Sequence, residues 1–220
     1  RPPPRGPQRW PRTNFPDSPV EAAPDATIES GAGPENAVPA TKTVVGSVAA
    51  GMALLAGIES SYDVKPSANA IAAAPSTLPD AAALRAAFLR ARHFYVIGRD
   101  TGFGAAHEVA LKLKECCALH AEAYSASEVL HGPLQLATNP MMVLILDTGQ
   151  ADIQDSLAQA EARLTAVGCD VHPIRVTDLI DTEIKPAAAA AYLLALIYPV
   201  ILETALAMGL NPDTPETQAK

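Results

Sequence analysis

HFYVIGRDTGFGAAHEVALKLKECC (His93–Cys117) changes its periodicity part-way along. His93–Ile97 (HFYVI) is a short apolar run of strand length. Gly98–Gly104 (GRDTGFG) is a glycine-bearing turn, and a helix is predicted from about Ala105 to Cys117. Other segments alternate in the same way. Asp80–Arg92 reads as an Ala/Leu-rich helix capped near Pro79–Asp80, Leu119–Tyr124 as a short strand and Glu128–Ala137 as a short helix. Met141–Leu146 is a strand, Asp152–Val167 a helix ending at Gly168, Asp170–Ile174 a strand and Ala187–Met208 a long apolar helix. Strands alternating with helices predict an α/β fold of three layers, a parallel sheet with helices on both faces. Ligands of such sheets bind beyond the carboxyl ends of the strands, where the glycine turn and the opening of the Glu108 helix fall. A glycine turn before a helix can receive an anion. This one has neither the dinucleotide spacing nor a Walker lysine, and by itself it is ordinary strand–helix geometry.

EVALKLKECCALHAEAYSASEVLHGP (Glu108–Pro133) gathers an unusual number of titratable side chains for a chain that is 49% hydrophobic and 18% charged. Positions i, i+4 and i+7 share a helix face, so Glu108, Lys112 and Glu115 form one stripe, while Val109, Ala110, Leu113 and Cys117 fall on other faces. A lysine between two carboxylates can hold one ionised and leave the other to move protons, provided burial brings its pKa toward working pH. The spacing equally fits an ordinary i,i+4 pair worth about 0.2–0.5 kcal/mol. His120, Glu122, Tyr124, Glu128 and His131 follow. Of these, His120 and Glu122 are expected to fix the loop after the helix, and Tyr124 to pack.

ALKLKE, HAEAY and SE-x-x-HGP, in that order, resemble the second half of the sugar-isomerase (SIS) family. The likeness is to the isomerase part of glucosamine-6-phosphate synthase and to the SIS-type glucosamine-6-phosphate deaminases. Ala32–Thr43 (AGPENAVPATKT) resembles the family's segment between its halves, and Asn211–Lys220 (NPDTPETQAK) its C-terminal tail. The resemblance implies a Rossmann-like or flavodoxin-like SIS sheet. It also implies roles for single residues. Glu115 matches the base that shuttles a proton between sugar C1 and C2. His131 matches the histidine that assists ring opening, supplied in the synthase by the neighbouring subunit, so a homodimer is implied. Glu108 and Lys112 match supporting polar residues, and Val38 and Thr41 a substrate-contacting turn. Ala40 stands where the family often has serine. Lys220 matches the tail lysine that forms a Schiff base with the open-chain ketose. Read without the resemblance, His131 is a turn residue and Lys220 a solvated terminal charge.

The chain has 220 residues, a net charge of −8 and a pI near 5.1. It is long enough for one sizeable core, and its charge argues against nucleic-acid partners. No uninterrupted apolar run reaches the ~20 residues that span a membrane, and Ala187–Val200 and Val44–Ile58 read as buried helices. The first residues lack a signal-peptide core. Three cysteines (Cys116, Cys117, Cys169) provide neither a disulfide framework nor metal-ligand spacing, so a cytoplasmic setting without metal or cofactor is expected.

Ten of the twenty prolines lie in residues 1–39. Residues 1–12 are expected to be a disordered Pro/Arg-rich lead-in. Residues 13–79 are expected to be the end of a first SIS half plus a linker. They would contain a strand near Ala26–Glu29, a helix over Thr41–Ser60 and a proline-bearing linker at 61–79. Residues 80–208 are expected to form the SIS domain and 209–220 the tail. The Ser/Thr-rich loop that holds the sugar phosphate in the family's first half has no match in these residues, and a protein without a glutaminase domain is expected. Three functions stay open. One is an aldose–ketose isomerase or deaminase acting on an amino-sugar phosphate such as glucosamine 6-phosphate. The second is a non-catalytic sugar-phosphate-binding regulatory module. The third is an inactive truncated homologue.

Overall fold

The computed structural model describes residues 12–14, 27–138 and 140–217. The chain divides into two compact units. The smaller comprises Arg1–Asn36 and Ala40–Asp63, and the larger Ala37–Pro39 and Val64–Lys220.

In the smaller unit β1 (Arg12–Thr13) pairs in parallel with β2 (Ile28–Glu29), and α1 spans Lys42–Ile58. The Thr41 side chain makes no cap for α1. Glu35 does this instead: its Oε1 accepts from the backbone N–H of Thr41 and of Lys42, each at 2.8 Å. Two donors left open at the helix start are thereby satisfied by a carboxylate. Burial works to raise the Glu35 pKa. Hydrogen bonds from Thr43, Thr41 and Lys42 outweigh it and hold the group below the usual carboxylate range.

The larger unit is the α/β fold that the alternation predicts. It contains α2 (Lys65–Ala73), α3 (Ala81–Arg90), β3 (His93–Gly98), α4 (Thr101–Cys117), β4 (His120–Ser125), β5 (Met142–Asp147), α5 (Gln154–Ala166), β6 (Asp170–Arg175) and α6 (Pro186–Ala207). The strands form one four-stranded parallel sheet in the order β4-β3-β5-β6. Strand alternation assigns the two faces. Tyr95, Ile97, Val143 and Ile145 share a buried cluster with Val129 and with Leu157, Ala160 and Leu164 of α5. Phe94, one residue out of phase, meets Phe88 of α3 edge-on at 5.9 Å, in the layer where α3 and α4 pack against α6. Helices therefore cover both faces.

Several elements depart from the expectation for identifiable reasons. The linker expected at 61–79 contains α2, with its proline at the first turn, where a missing N–H costs nothing. The helix expected over Glu128–Ala137 is a turn followed by a 3-10 segment, Gly132–Thr138. Asp80 precedes α3 but makes no side-chain cap. α4 begins at Thr101 rather than Ala105, so two of the turn glycines lie in its first turns. Gly98 and Gly102 are what allow this. A Cβ on Gly98 would stand 2.1 Å from the Gly102 carbonyl oxygen, and one on Gly102 would stand 2.9 Å from that of Leu146. Backbone atoms cannot yield as a flexible side chain can. Gly98→Ala is therefore expected to cost about 3 kcal/mol, read as a lowered urea midpoint with an unchanged m-value.

Helix α6 runs 22 residues and continues through Pro199, within one residue of the expected Ala187–Met208 at each end. It is long and apolar enough to cross a membrane. Ala189, Leu193, Ile197 and Val200 are nonetheless buried within the unit, as in the core helix of a sandwich.

Candidate active site

The stripe on α4 has a buried lysine between two partly buried carboxylates. Lys112 is 2% exposed. Its Nζ lies 3.4 Å from Glu108 Oε1 and makes a direct ion pair with Glu115 Oε2. Glu115 keeps part of its carboxylate open, with a side-chain exposure of 23% against 12% for Glu108. Tyr198, reaching across from α6, donates its hydroxyl to Glu108 Oε1 at 3.0 Å. Burial pushes the Glu108 pKa above the usual carboxylate range. The Lys112 charge and the Tyr198 and Lys112 hydrogen bonds oppose it, and the Glu115 charge adds to it. One buried cation thus serves two carboxylates, and the more open carboxylate is Glu115.

The neighbouring thiols are not part of this chemistry. Burial, reinforced by Cys116, pushes Cys117 up to about 12, and its Sγ donates to the Ile201 carbonyl at 3.5 Å. Burial also raises Cys116 and Cys169, so none is held as a thiolate. Among the described residues no group of three His, Cys, Asp or Glu could hold a metal ion. Glu122 and Tyr124 interact with each other, the tyrosine hydroxyl donating to Glu122 Oε2 at 2.7 Å, and Tyr124 lies edge-on to Tyr95 at 4.9 Å.

His131 lies away from this cluster. It is exposed, and its backbone carries turn hydrogen bonds to Glu128 and Leu134. Leu130 and Leu134, on either side of it, pack on the α5-side cluster, and the Pro133 carbonyl accepts from the Tyr95 hydroxyl at 2.7 Å. Glu115 belongs to α4 on the other face of the sheet. Within one chain the sheet therefore separates the two residues.

The tail and the inter-half motif do meet. The Val38 backbone N–H donates to the Asp213 carbonyl at 3.0 Å, within the larger unit. Thr41 belongs to the smaller unit, where its hydroxyl contacts Glu35 at 3.4 Å. Lys220 lies outside the described residues.

A separate open groove of about 600 Å³ lies at the carboxyl end of the sheet, lined by Arg99, Asp100, Phe103, Ser125, Glu128 and Asp152. Arg99 donates to the Ser125 and Ser127 hydroxyls, each at 3.0 Å. The groove is where the strand order predicts a ligand crevice. It contains none of the expected site residues, and Glu115 sits about 20 Å further along α4.

Residues 87–200, just over half of the chain, match the SIS domain family. The chain belongs to the SIS family. The glutamine–fructose-6-phosphate aminotransferase of Symbiobacterium thermophilum is 33% identical over 240 residues, a match that covers 94% of this chain and 38% of that protein. A candidate phosphosugar isomerase of Silicibacter pomeroyi is 30% identical, with a TM-score of 0.73 over 93% of this SIS chain and 64% of the other. The C-terminal domain of glucosamine-fructose-6-phosphate aminotransferase from Francisella tularensis has the same fold, with a TM-score of 0.74 at 20% identity over 94% and 66% of the two chains. This SIS chain spans 36–38% of the length of the curated relatives it matches.

Two residues were given no role of their own by the sequence, although Glu35 lies within the Ala32–Thr43 motif. Tyr198 is embedded in an apolar run, and Glu35 in a loop. Only the packing of α6 on α4, and the fold-back of Glu35 onto α1, give them a role.

Proposed function

We propose that this SIS protein binds a sugar phosphate, glucosamine 6-phosphate or fructose 6-phosphate, and acts as an aldose–ketose isomerase or deaminase of the amino-sugar-phosphate type. The observation that carries the reading is the buried Lys112 held between Glu108 and Glu115. Such an arrangement is costly unless every charge is matched, and it leaves one carboxylate positioned for proton transfer. In this reading Glu115 takes the proton from C2 of the open-chain aldose and returns it to C1. With a C2 hydroxyl the step passes through an enediol, the hydroxyl proton moving from O2 to O1. With glucosamine 6-phosphate it passes through the corresponding enamine to a C2 imine, which water hydrolyses to fructose 6-phosphate with release of ammonia. Lys112 holds Glu115 in place, and Glu108 balances the lysine charge.

His131 serves ring opening in a second copy of the chain, because the sheet stands between it and Glu115 of its own chain. A homodimer is thus part of the proposal. Val38 and Thr41 are assigned to the sugar, and Lys220 to a Schiff base with the open-chain ketose, its amine condensing with the C2 carbonyl and releasing water. The Val38–Asp213 hydrogen bond supports the pairing of the inter-half segment with the tail. Residues 13–79 are assigned to the end of a first SIS half plus its linker. Three free cysteines agree with a cytoplasmic protein.

The test is calorimetric titration of the chain with glucosamine 6-phosphate and with fructose 6-phosphate, run beside a turnover assay. The expected result is saturable binding with conversion. Binding with no conversion would assign a regulatory module instead. Absence of binding by both sugars would contradict either assignment.

A further inference from the structure

Polar links between α4 and α6 include Thr101 to Pro186, Cys117 to Ile201 and Tyr198 to Glu108, and the last ends on the proton-transfer cluster. Tyr198 is half-buried on α6, and its hydroxyl donates to Glu108 Oε1, the same oxygen that Lys112 Nζ approaches at 3.4 Å. Pro199 follows directly inside the helix. A proline has no N–H for the carbonyl four residues back, so α6 lacks one backbone bond beside Tyr198, and its path there depends more on side-chain contacts. Tyr192, earlier on the same helix, spends its hydroxyl on the Pro75 carbonyl at 2.7 Å. Tyr198 instead spends its own on a carboxylate, a stronger charge-assisted bond.

We infer that Tyr198 is a positioning residue of the proton-transfer cluster, holding Glu108 and through it the Lys112 ammonium in register with Glu115. The inference rests on the proposed function for its catalytic meaning and on the α4–α6 geometry for its physical content. The titratable groups that face Glu108 are Lys112, Glu115 and Cys116 on α4 and Tyr198 on α6. Lys112 has two carboxylates to satisfy. With Tyr198 in place, Glu108 needs less of the lysine, and the direct ion pair to Glu115 persists. Without the hydroxyl, Glu108 competes harder for the ammonium and Glu115 loses its fixed orientation.

The test compares Tyr198→Phe with Tyr192→Phe in the full 220-residue chain. Each removes one hydroxyl from α6, and only the first touches Glu108. Carboxyl carbon-13 NMR titration follows Glu108, assigned by the signal lost in Glu108→Gln. The hydroxyl stabilises the ionised form, so its loss is expected to move the Glu108 midpoint to higher pH by about one pH unit in Tyr198→Phe. Tyr192→Phe is expected to leave it unchanged. In the turnover assay Tyr198→Phe is expected to lower kcat about tenfold with KM unchanged, since positioning acts on the transition state rather than on sugar binding. An unmoved midpoint in Tyr198→Phe, or an equal movement in both variants, would overturn the inference. A wild-type chain that turns over neither sugar would end the proposed function instead, and the NMR comparison would still decide whether Tyr198 holds Glu108.

Discussion

Glu115→Gln is expected to abolish conversion of glucosamine 6-phosphate and fructose 6-phosphate while leaving the fold and sugar binding intact. General base catalysis by a placed carboxylate contributes about 10²- to 10⁴-fold, and the amide cannot accept the proton. Glutamine has the same length and can still accept a hydrogen bond from Lys112 through its amide oxygen, so the local packing persists. The expected signature is a collapse of kcat with a dissociation constant close to that of the wild type. The Glu108→Gln variant separates the two carboxylates. Glu108 is the more enclosed and is engaged by both Tyr198 and Lys112, so its amide should weaken turnover without ending it.

The second large effect is on stability. Lys112→Met removes the cation from a site where Lys112 is 2% exposed and two carboxylates depend on it. Breaking a buried ion pair on one side costs about 3–5 kcal/mol, because the remaining charge stays desolvated and unmatched. The pH dependence has a definite sign. Glu108 already titrates above its ordinary range because of burial, with Lys112 opposing the rise. Removing the lysine raises it further. A carboxyl whose folded pKa is raised binds more protons in the native state, so the variant loses stability as pH rises through that interval. Its deficit in urea denaturation should therefore be larger at pH 8 than at pH 5. The combined variant Lys112→Met, Glu108→Gln, Glu115→Gln removes the charges together and should recover much of the loss.

Most of the sheet was legible because a short apolar run bounded by turn residues has few other uses. His93–Ile97, Met141–Leu146 and Asp170–Ile174 each lie within one residue of the observed strands. Glycine and proline were misleading where they served helices. Gly102 lies within α4 because the Leu146 carbonyl leaves no room for a Cβ, and the proline of α2 opens a helix rather than a linker. The charged stripe on α4 was visible as spacing, but its burial was not. Nothing in the order of residues says that α6 packs on α4 or that Tyr198 meets Glu108. Strand order and faces were likewise hidden, and they decide that Glu115 and His131 of one chain lie on opposite sides of the sheet. Periodicity identifies elements, whereas the pairing of elements that places two side chains together is a tertiary property.

Solvent isotope exchange tests the central claim most directly, because a base that shuttles protons between C1 and C2 exchanges them with water. Fructose 6-phosphate is incubated in deuterium oxide with the wild-type chain, and deuterium at C1 is followed by NMR. The account predicts deuterium entering C1 with the wild type and none with Glu115→Gln at equal sugar occupancy. Exchange that persists undiminished in Glu115→Gln, or a wild type that binds the sugar with no exchange, would contradict it.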